Sequence, residues 1–237
     1  MRLWETDNEK SALLSLLYGI DETLNKDEVK QRLSELKEEK TSIIQNMIIP
    51  NILENYDTSL DKCNVIEIGS GAGIMVDWLA PQVNSLSCID VSETILDACK
   101  EQNKQHKNVS YHLIENNIDF SEIKNIDFVY SQSVFIHLSI LDFYVYLNEL
   151  YKSLNKGGLI YIDIIDSDVD EFTLQEEEFQ RQLKALTLGY KRGINTLYHV
   201  NSSSTLTKTA NELGYELVWS QGSIYNPANV SLIYKKV

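Results

Sequence analysis

Positive charge is in short supply in this chain, and that shortage constrains its function first. Only 21 Lys and Arg stand against 35 Asp and Glu, a formal net charge of −14 over 237 residues. A protein that neutralises phosphates needs the opposite balance, so neither DNA nor RNA is an expected partner. No apolar run is long enough to span a bilayer, and no membrane association is expected. The segment Met1 to Asp7 has no basic stretch leading into an apolar one, so no export signal is expected and a cytoplasmic protein is. Cysteine is scarce too: Cys63, Cys88 and Cys99 form no C-x-x-C pair. An odd count without metal spacing points to reduced thiols, and Cys63 and Cys88 fit as small buried hydrophobes at core strands. Internal repeats and low-complexity linkers are missing as well. What remains is ordinary for a folded protein, 43% hydrophobic and 24% charged. The length suits one α/β domain with an appended piece.

That piece is the first sixty residues, where helical patterns prevail. Ser11 to Ile20 is an apolar stretch. Asn25-Lys26-Asp27-Glu28 predicts the cap of a second helix, with Val29, Leu33 and Leu36 on one face. Ile43, Ile44, Met47 and Ile48 mark a third apolar face, bent or broken by Pro50. Residues 1–60 are expected to cover the mouth of a site or simply to pack on the domain that follows, 61–237.

From Asn64 the rhythm changes to short apolar runs alternating with amphipathic segments, the pattern of a βαβ sheet. Strands are expected at 65–68, 85–90, 109–114, 126–131 and 159–165, with helices at 92–102 and 140–154 and Ser92 as an N-cap. Lys156-Gly157-Gly158 reads as a turn before the fifth strand. A last helix over 205–213, capped by Ser203 or Ser204, ends at Gly214. Two final strands, 215–220 and 230–235, pair across a loop containing Gly222 and Pro227. Between Asp163 and Glu178 stand eight acidic residues and no basic one. Residues 166–200 are expected to form a lid inserted after strand five. Asp166, Asp168 and Asp170 alternate but lack the glycine and distal glutamate of a calcium loop, so a solvated surface is expected there and no metal.

The chemistry-bearing feature is Val65-Ile66-Glu67-Ile68-Gly69-Ser70-Gly71-Ala72-Gly73. A buried strand enters a loop where every second residue is glycine, and a helix follows. Such a loop lets a ligand approach the main chain, and the helix N-terminus offers free N–H groups. A tight βα turn would need no ligand. Asp90 ends strand two, where a carboxylate can accept from both hydroxyls of a ribose or merely cap the next helix. A dinucleotide fingerprint would require glycine where Ile74 stands.

Glu67-Ile68-Gly69-Ser70-Gly71-Ala72-Gly73 resembles motif I of the class I S-adenosylmethionine-dependent methyltransferases, small-molecule type. Cys88-Ile89-Asp90, the stretch Asn125 to Leu138, Leu154 to Ile160 and Glu212 to Leu217 resemble that family's later segments in order. The resemblance implies a seven-stranded Rossmann-like sheet with helices on both faces, and S-adenosyl-L-methionine as cofactor. It further implies that Gly69, Gly71 and Gly73, with Ser70 between them, pass the methionine part and that Glu67 holds its amino end. Asp90, with Val91 after it, would grip the ribose. Near the adenine the family commonly has an acidic residue. This chain offers Asn116, Asn117 and Ile118 instead, and the Asn117 carbonyl is able to accept from the adenine amine. Ser131 and Gln132 would line the cofactor past strand four.

Methyl transfer from a sulfonium needs alignment and exclusion of water, plus a base where the acceptor is a hydroxyl or protonated amine. His137, at the carboxyl edge of the sheet with an unperturbed pKa of ~6.5, is the candidate base; His199 is a second, and a packing histidine is the plainer alternative. Asp163 and Asp166 are candidates for contact with substrate or for a solvated loop. Neither an N-P-P-Y motif nor a Pro-Cys pair is present, which argues against adenine-N6, glutamine-amide and cytosine-C5 acceptors. The expected acceptor is an oxygen or nitrogen of a small molecule such as a sugar or natural product, and the aromatic residues of the lid suit a polar ring. Two other classes remain open: an NAD(P)-dependent oxidoreductase, and a non-catalytic protein that binds the cofactor.

Overall fold

Apolar segments that are buried on both faces form a parallel sheet, and this chain supplies four, with a more exposed fifth strand at the sheet's edge. A computed structural model describes residues 26–50, 59–114, 118–169, 199–222 and 229–237. The expected helix at 11–20, the Asn25 cap, Asn116, Asn117, Pro227 and nearly all of the lid lie outside these residues. Strand β1 (Asn64–Ile68) runs parallel to β2 (Ser85–Asp90) on one side and to β4 (Ile126–Tyr130) on the other. β2 pairs with β3 (Val109–Leu113), and β4 with β5 (Leu154–Asp166). Past β5 the sheet turns antiparallel through β8 (Asn229–Lys236) and β7 (Tyr215–Gly222). The order is β3-β2-β1-β4-β5-β8-β7, and a two-residue strand, β6 (Val200–Asn201), joins the end of β5. Strand order reverses between β1 and β4, so the loops leaving these two strands diverge and open a crevice at their carboxyl ends.

Side-chain alternation divides the core into two layers. Ile66, Val129 and Ile162 point to one face, where α4 (Ile140–Ser153) and α5 (Ser203–Glu212) supply Phe143, Leu147 and Leu206. Val65, Phe128 and Leu159 point to the other, against α2 (Val76–Leu79) and α3 (Glu93–Gln102). Ser92 caps α3, and Ser139 with Asp142 forms a capping box on α4.

Three local expectations are corrected. The second and third helical patterns are one continuous element: α1 (Lys26–Ile43) runs into a π turn, Ile44–Ile48. Neither Gly nor Pro interrupts residues 26–49, and the wider turn re-phases the stripe so that Ile44 is buried in the second layer. The Lys156-Gly157-Gly158 turn lies inside β5, absorbed by a register shift between Ile126 and Phe128. Finally, α5 is capped by Ser202 rather than Ser203 or Ser204. Asp166 Oδ1 accepts from Ser203 N at 2.9 Å and Asp168 Oδ2 from Ser204 N at 2.8 Å. These two carboxylates therefore satisfy the helix's first N–H groups, Asp166 from a buried position and Asp168 from the solvent-exposed surface that was expected.

Candidate functional site

β1 is buried along its last four residues and ends at the glycine loop. The loop folds back at once, with Gly69 N donating to Ile89 O at 2.7 Å. Gly69 and Gly73 both have left-handed φ, +74° and +81°. A Cβ at Gly69 would lie 2.2 Å from Val134 Cγ2, and one at Gly73 would lie 2.3 Å from Asn103 Nδ2. The loop thus threads between the chain that follows β4 and helix α3, and only glycine fits at either end. Asn103 Nδ2 donates to Gly73 O at 3.2 Å, fastening the loop to α3.

Three carboxylates surround this loop in different states. Asp90 accepts from Gly71 N at 3.1 Å through one oxygen and from Ser92 N at 3.0 Å through the other. Burial raises its pKa, and these N–H donors oppose the rise. Glu67 is 3% exposed, and its Oε2 has no hydrogen-bond partner among the described residues. Burial, with the Cys99 thiol and Asp90 nearby, pushes its pKa up to about 8, while Lys40 pulls the other way. Asp163, also buried, accepts from Ser133 N at 2.6 Å. Its pKa is pushed up to about 6 by burial, again against Lys40. Asp163 is therefore a buried anchor for the loop after β4, not part of a solvated loop. Ser133 itself is held at φ 61°, a conformation a side chain rarely adopts, and the Asp163 bond fixes it there.

A narrow cleft opens over the glycine loop, with about 320 Å³ of empty space including its mouth. Glu67, Gly69, Ser70 and Gly71 form its floor, and Ile74 and Met75 continue it. Tyr130 and Gln132, from the end of β4, form one wall, and Tyr130 donates its hydroxyl to Gln132 Oε1 at 2.6 Å. Lys40, from α1, closes the remaining side.

Five of the residues expected at the site therefore line one cleft: Glu67, Gly69, Ser70, Gly71 and Gln132. Asp90 stands behind, joined through Gly71, and Gly73 lies deeper against α3. Val91 is exposed just past β2. Ile118 is partly buried and packs on the first core layer, whereas Asn117 lies outside the described residues. Ser131 is fully buried with its hydroxyl donating to Ile68 O at 3.2 Å, so its side chain ties β4 to β1. His137 ends a short turn, Phe135–His137, and is partly buried. His199 N donates to Ile136 O at 2.8 Å, which brings the backbones of the two candidate bases together at the carboxyl edge. Sequence reasoning did not single out Tyr130 or Lys40. Tyr130 carried a signal, since it closes strand four beside the loop. Lys40 carried none, being one charge in a highly charged helix.

Residues 66–162 match the family model of a methyltransferase domain. The ubiquinone biosynthesis O-methyltransferase of Pelagibacter ubique is 21% identical over 147 residues, 62% of this chain, and the match spans only 60% of that protein. Among solved structures, magnesium protoporphyrin IX methyltransferase from Synechocystis with bound S-adenosylhomocysteine superposes with a TM-score of 0.64 at 12% identity, covering 97% of this chain and 96% of that one. Phosphoethanolamine N-methyltransferase 1 of Haemonchus contortus gives 0.56 at 19% identity, covering 79% and 41%. These likenesses establish a shared Rossmann-like methyltransferase fold.

Proposed function

We propose that this chain, whose residues 66–162 match the model of a methyltransferase domain, is a class I S-adenosylmethionine-dependent methyltransferase that transfers a methyl group to an oxygen or nitrogen of a small molecule. The observation that carries the reading is Glu67: a buried carboxylate oxygen without a partner, at the floor of a glycine-lined cleft. An orphaned acceptor of that kind is costly unless a donor arrives, and the cofactor's amino group is such a donor. The residues present fit the cofactor in other respects. Gly69 and Gly71 carry no side chain toward the cleft, and the Asp90 oxygens keep lone pairs for ribose hydroxyls beyond the N–H bonds they accept.

The bound cofactor supplies a methyl group activated by a positively charged sulfur. The chain's part is to hold and orient. Glu67 fixes the amino end, Asp90 the sugar, and Gln132, steadied by Tyr130, the wall between cofactor and acceptor. His137 is assigned the proton of a hydroxyl or ammonium acceptor. The acidic balance of the chain supports a small acceptor over a nucleic acid. So do the relatives, whose names give a porphyrin and phosphoethanolamine as their acceptors. A sugar or natural product is the acceptor class proposed here.

Calorimetry with S-adenosylhomocysteine and with NADH tests the cofactor, and radiolabelled methyl transfer across sugars, phenols and amines tests the acceptor. Binding of S-adenosylhomocysteine and transfer to one class is expected. His137→Ala should lower kcat by about 100-fold or more with S-adenosylhomocysteine affinity unchanged. NADH binding alone would make the chain an oxidoreductase, and cofactor binding with no transfer would make it a binding protein.

A further inference from the structure

A buried carboxyl and an ammonium group line the cleft without meeting. Glu67 comes from β1 and Lys40 from α1, which precedes the matched domain. Among the described residues the Lys40 ammonium forms neither a hydrogen bond nor an ion pair, and none joins it to Glu67. A carboxyl and an ammonium that share a low-dielectric space are most stable when the acid ionises and the two close on each other or on a ligand between them. A gap between them suits a ligand that is itself a zwitterion, with an ammonium for the carboxylate and a carboxylate for the ammonium.

The rest of α1 is built to hold Lys40 in that position. Lys37 pairs with Asp77 of α2, and Asp77 also meets His106 Nε2 at 3.0 Å. Leu36 is buried, and Ile44 is buried in the second core layer. Lys37, Lys40 and Ile44 are spaced three and four residues apart, so they share one face of the helix. An ion pair on one side of Lys40 and an apolar anchor on the other fix the helix so that Lys40 lines the cleft.

We propose that Lys40 binds the α-carboxylate of the cofactor's amino-acid end, so that α1 completes a site whose other half lies in the methyltransferase domain. The inference rests on the cofactor assignment above and adds a specific residue and ligand group. Lys40 acting only as a counter-charge for the buried Glu67 and Asp163 is the competing role, and ligands that differ by one group separate the two.

Three ligands are titrated by calorimetry: S-adenosylhomocysteine, its decarboxylated analogue and 5′-methylthioadenosine, which lacks the whole amino-acid end. Wild type is expected to prefer S-adenosylhomocysteine over the decarboxylated analogue by at least about tenfold. Lys40→Met should erase that preference while holding the other two ligands within about twofold, and Lys40→Arg should restore it. Circular dichroism and melting of each variant confirm folding. A preference that survives in Lys40→Met overturns the inference. Equal loss for S-adenosylhomocysteine and its decarboxylated analogue overturns it too, because a counter-charge acts on both through Glu67, and equal loss for all three overturns it as a general disturbance of the site. Wild type that binds none of the three removes the cofactor assignment itself, and this inference with it.

Discussion

The corners at the carboxyl ends of β1 and β5 are both rich in carboxylates, and they use them differently. At the β5 corner Asp166 and Asp168 accept from the first N–H groups of α5, and hydroxyls of Ser202 and Ser203 add to Asp168. These donors hold Asp168 below the usual carboxylate range. At the β1 corner Glu67 is buried with one oxygen unengaged and is driven the other way. The first corner completes a fold and needs nothing more. The second is left incomplete by the chain itself, which is the condition under which a ligand contributes the missing bond.

Removing the unengaged acid breaks this contrast most sharply. Glu67→Gln should weaken S-adenosylhomocysteine by about 100-fold or more, the scale of a charged hydrogen bond in a dry site. The same variant should melt higher than wild type at pH 8 and less so at pH 5. The folded protein holds the Glu67 proton between its ordinary value of about 4.5 and about 8, whereas the unfolded chain releases it. Wild type therefore loses stability as pH rises through that window, and glutamine does not. Unchanged affinity in Glu67→Gln would erase the distinction between the corners.

A second, smaller effect sharpens the comparison by pH. The carboxyl must ionise to receive an ammonium, so affinity for S-adenosylhomocysteine should rise from pH 6 to pH 8 by up to about tenfold per unit. Asp90, Cys99 and Lys40 face the same group and set where the rise ends. Calorimetry in buffers of different ionisation enthalpy should show proton release on binding, absent in Glu67→Gln.

The smallest effects belong to the β5 corner. Asp166→Ala and Asp168→Ala should each cost about 1 kcal/mol of stability, as lost helix caps do. Affinity for S-adenosylhomocysteine should stay within about twofold in both. Denaturant melts beside titrations check this, and a large affinity loss in either variant would move that corner into the site.

Much of the sheet was legible because β1, β2 and β4 are short, apolar and flanked by turn residues, so their periodicity is unambiguous. The glycine loop was legible for a related reason: glycine at 69 and 73 is the residue that backbone angle and contact both demand. Ownership of the carboxylates was not legible. Asp163, Asp166 and Asp168 sit two or three positions apart in an acidic run, yet one anchors Ser133 and the other two cap α5. Those partners stand 30 or more residues away, a separation that no local pattern encodes. The same holds for Lys40, whose neighbours at the cleft come from β1 and β4, and for Ser131, whose hydroxyl is taken up by Ile68.

Strand β8 pairs on both sides, with β5 and with β7, although it follows both in the chain. During synthesis the sheet therefore carries an unfilled slot in its interior until these residues leave the ribosome. Tyr234, Ile233 and Leu232 then enter both core layers at once. Nascent chains stalled before β8 should be open to proteases and to chaperones, while those stalled beyond it should resist.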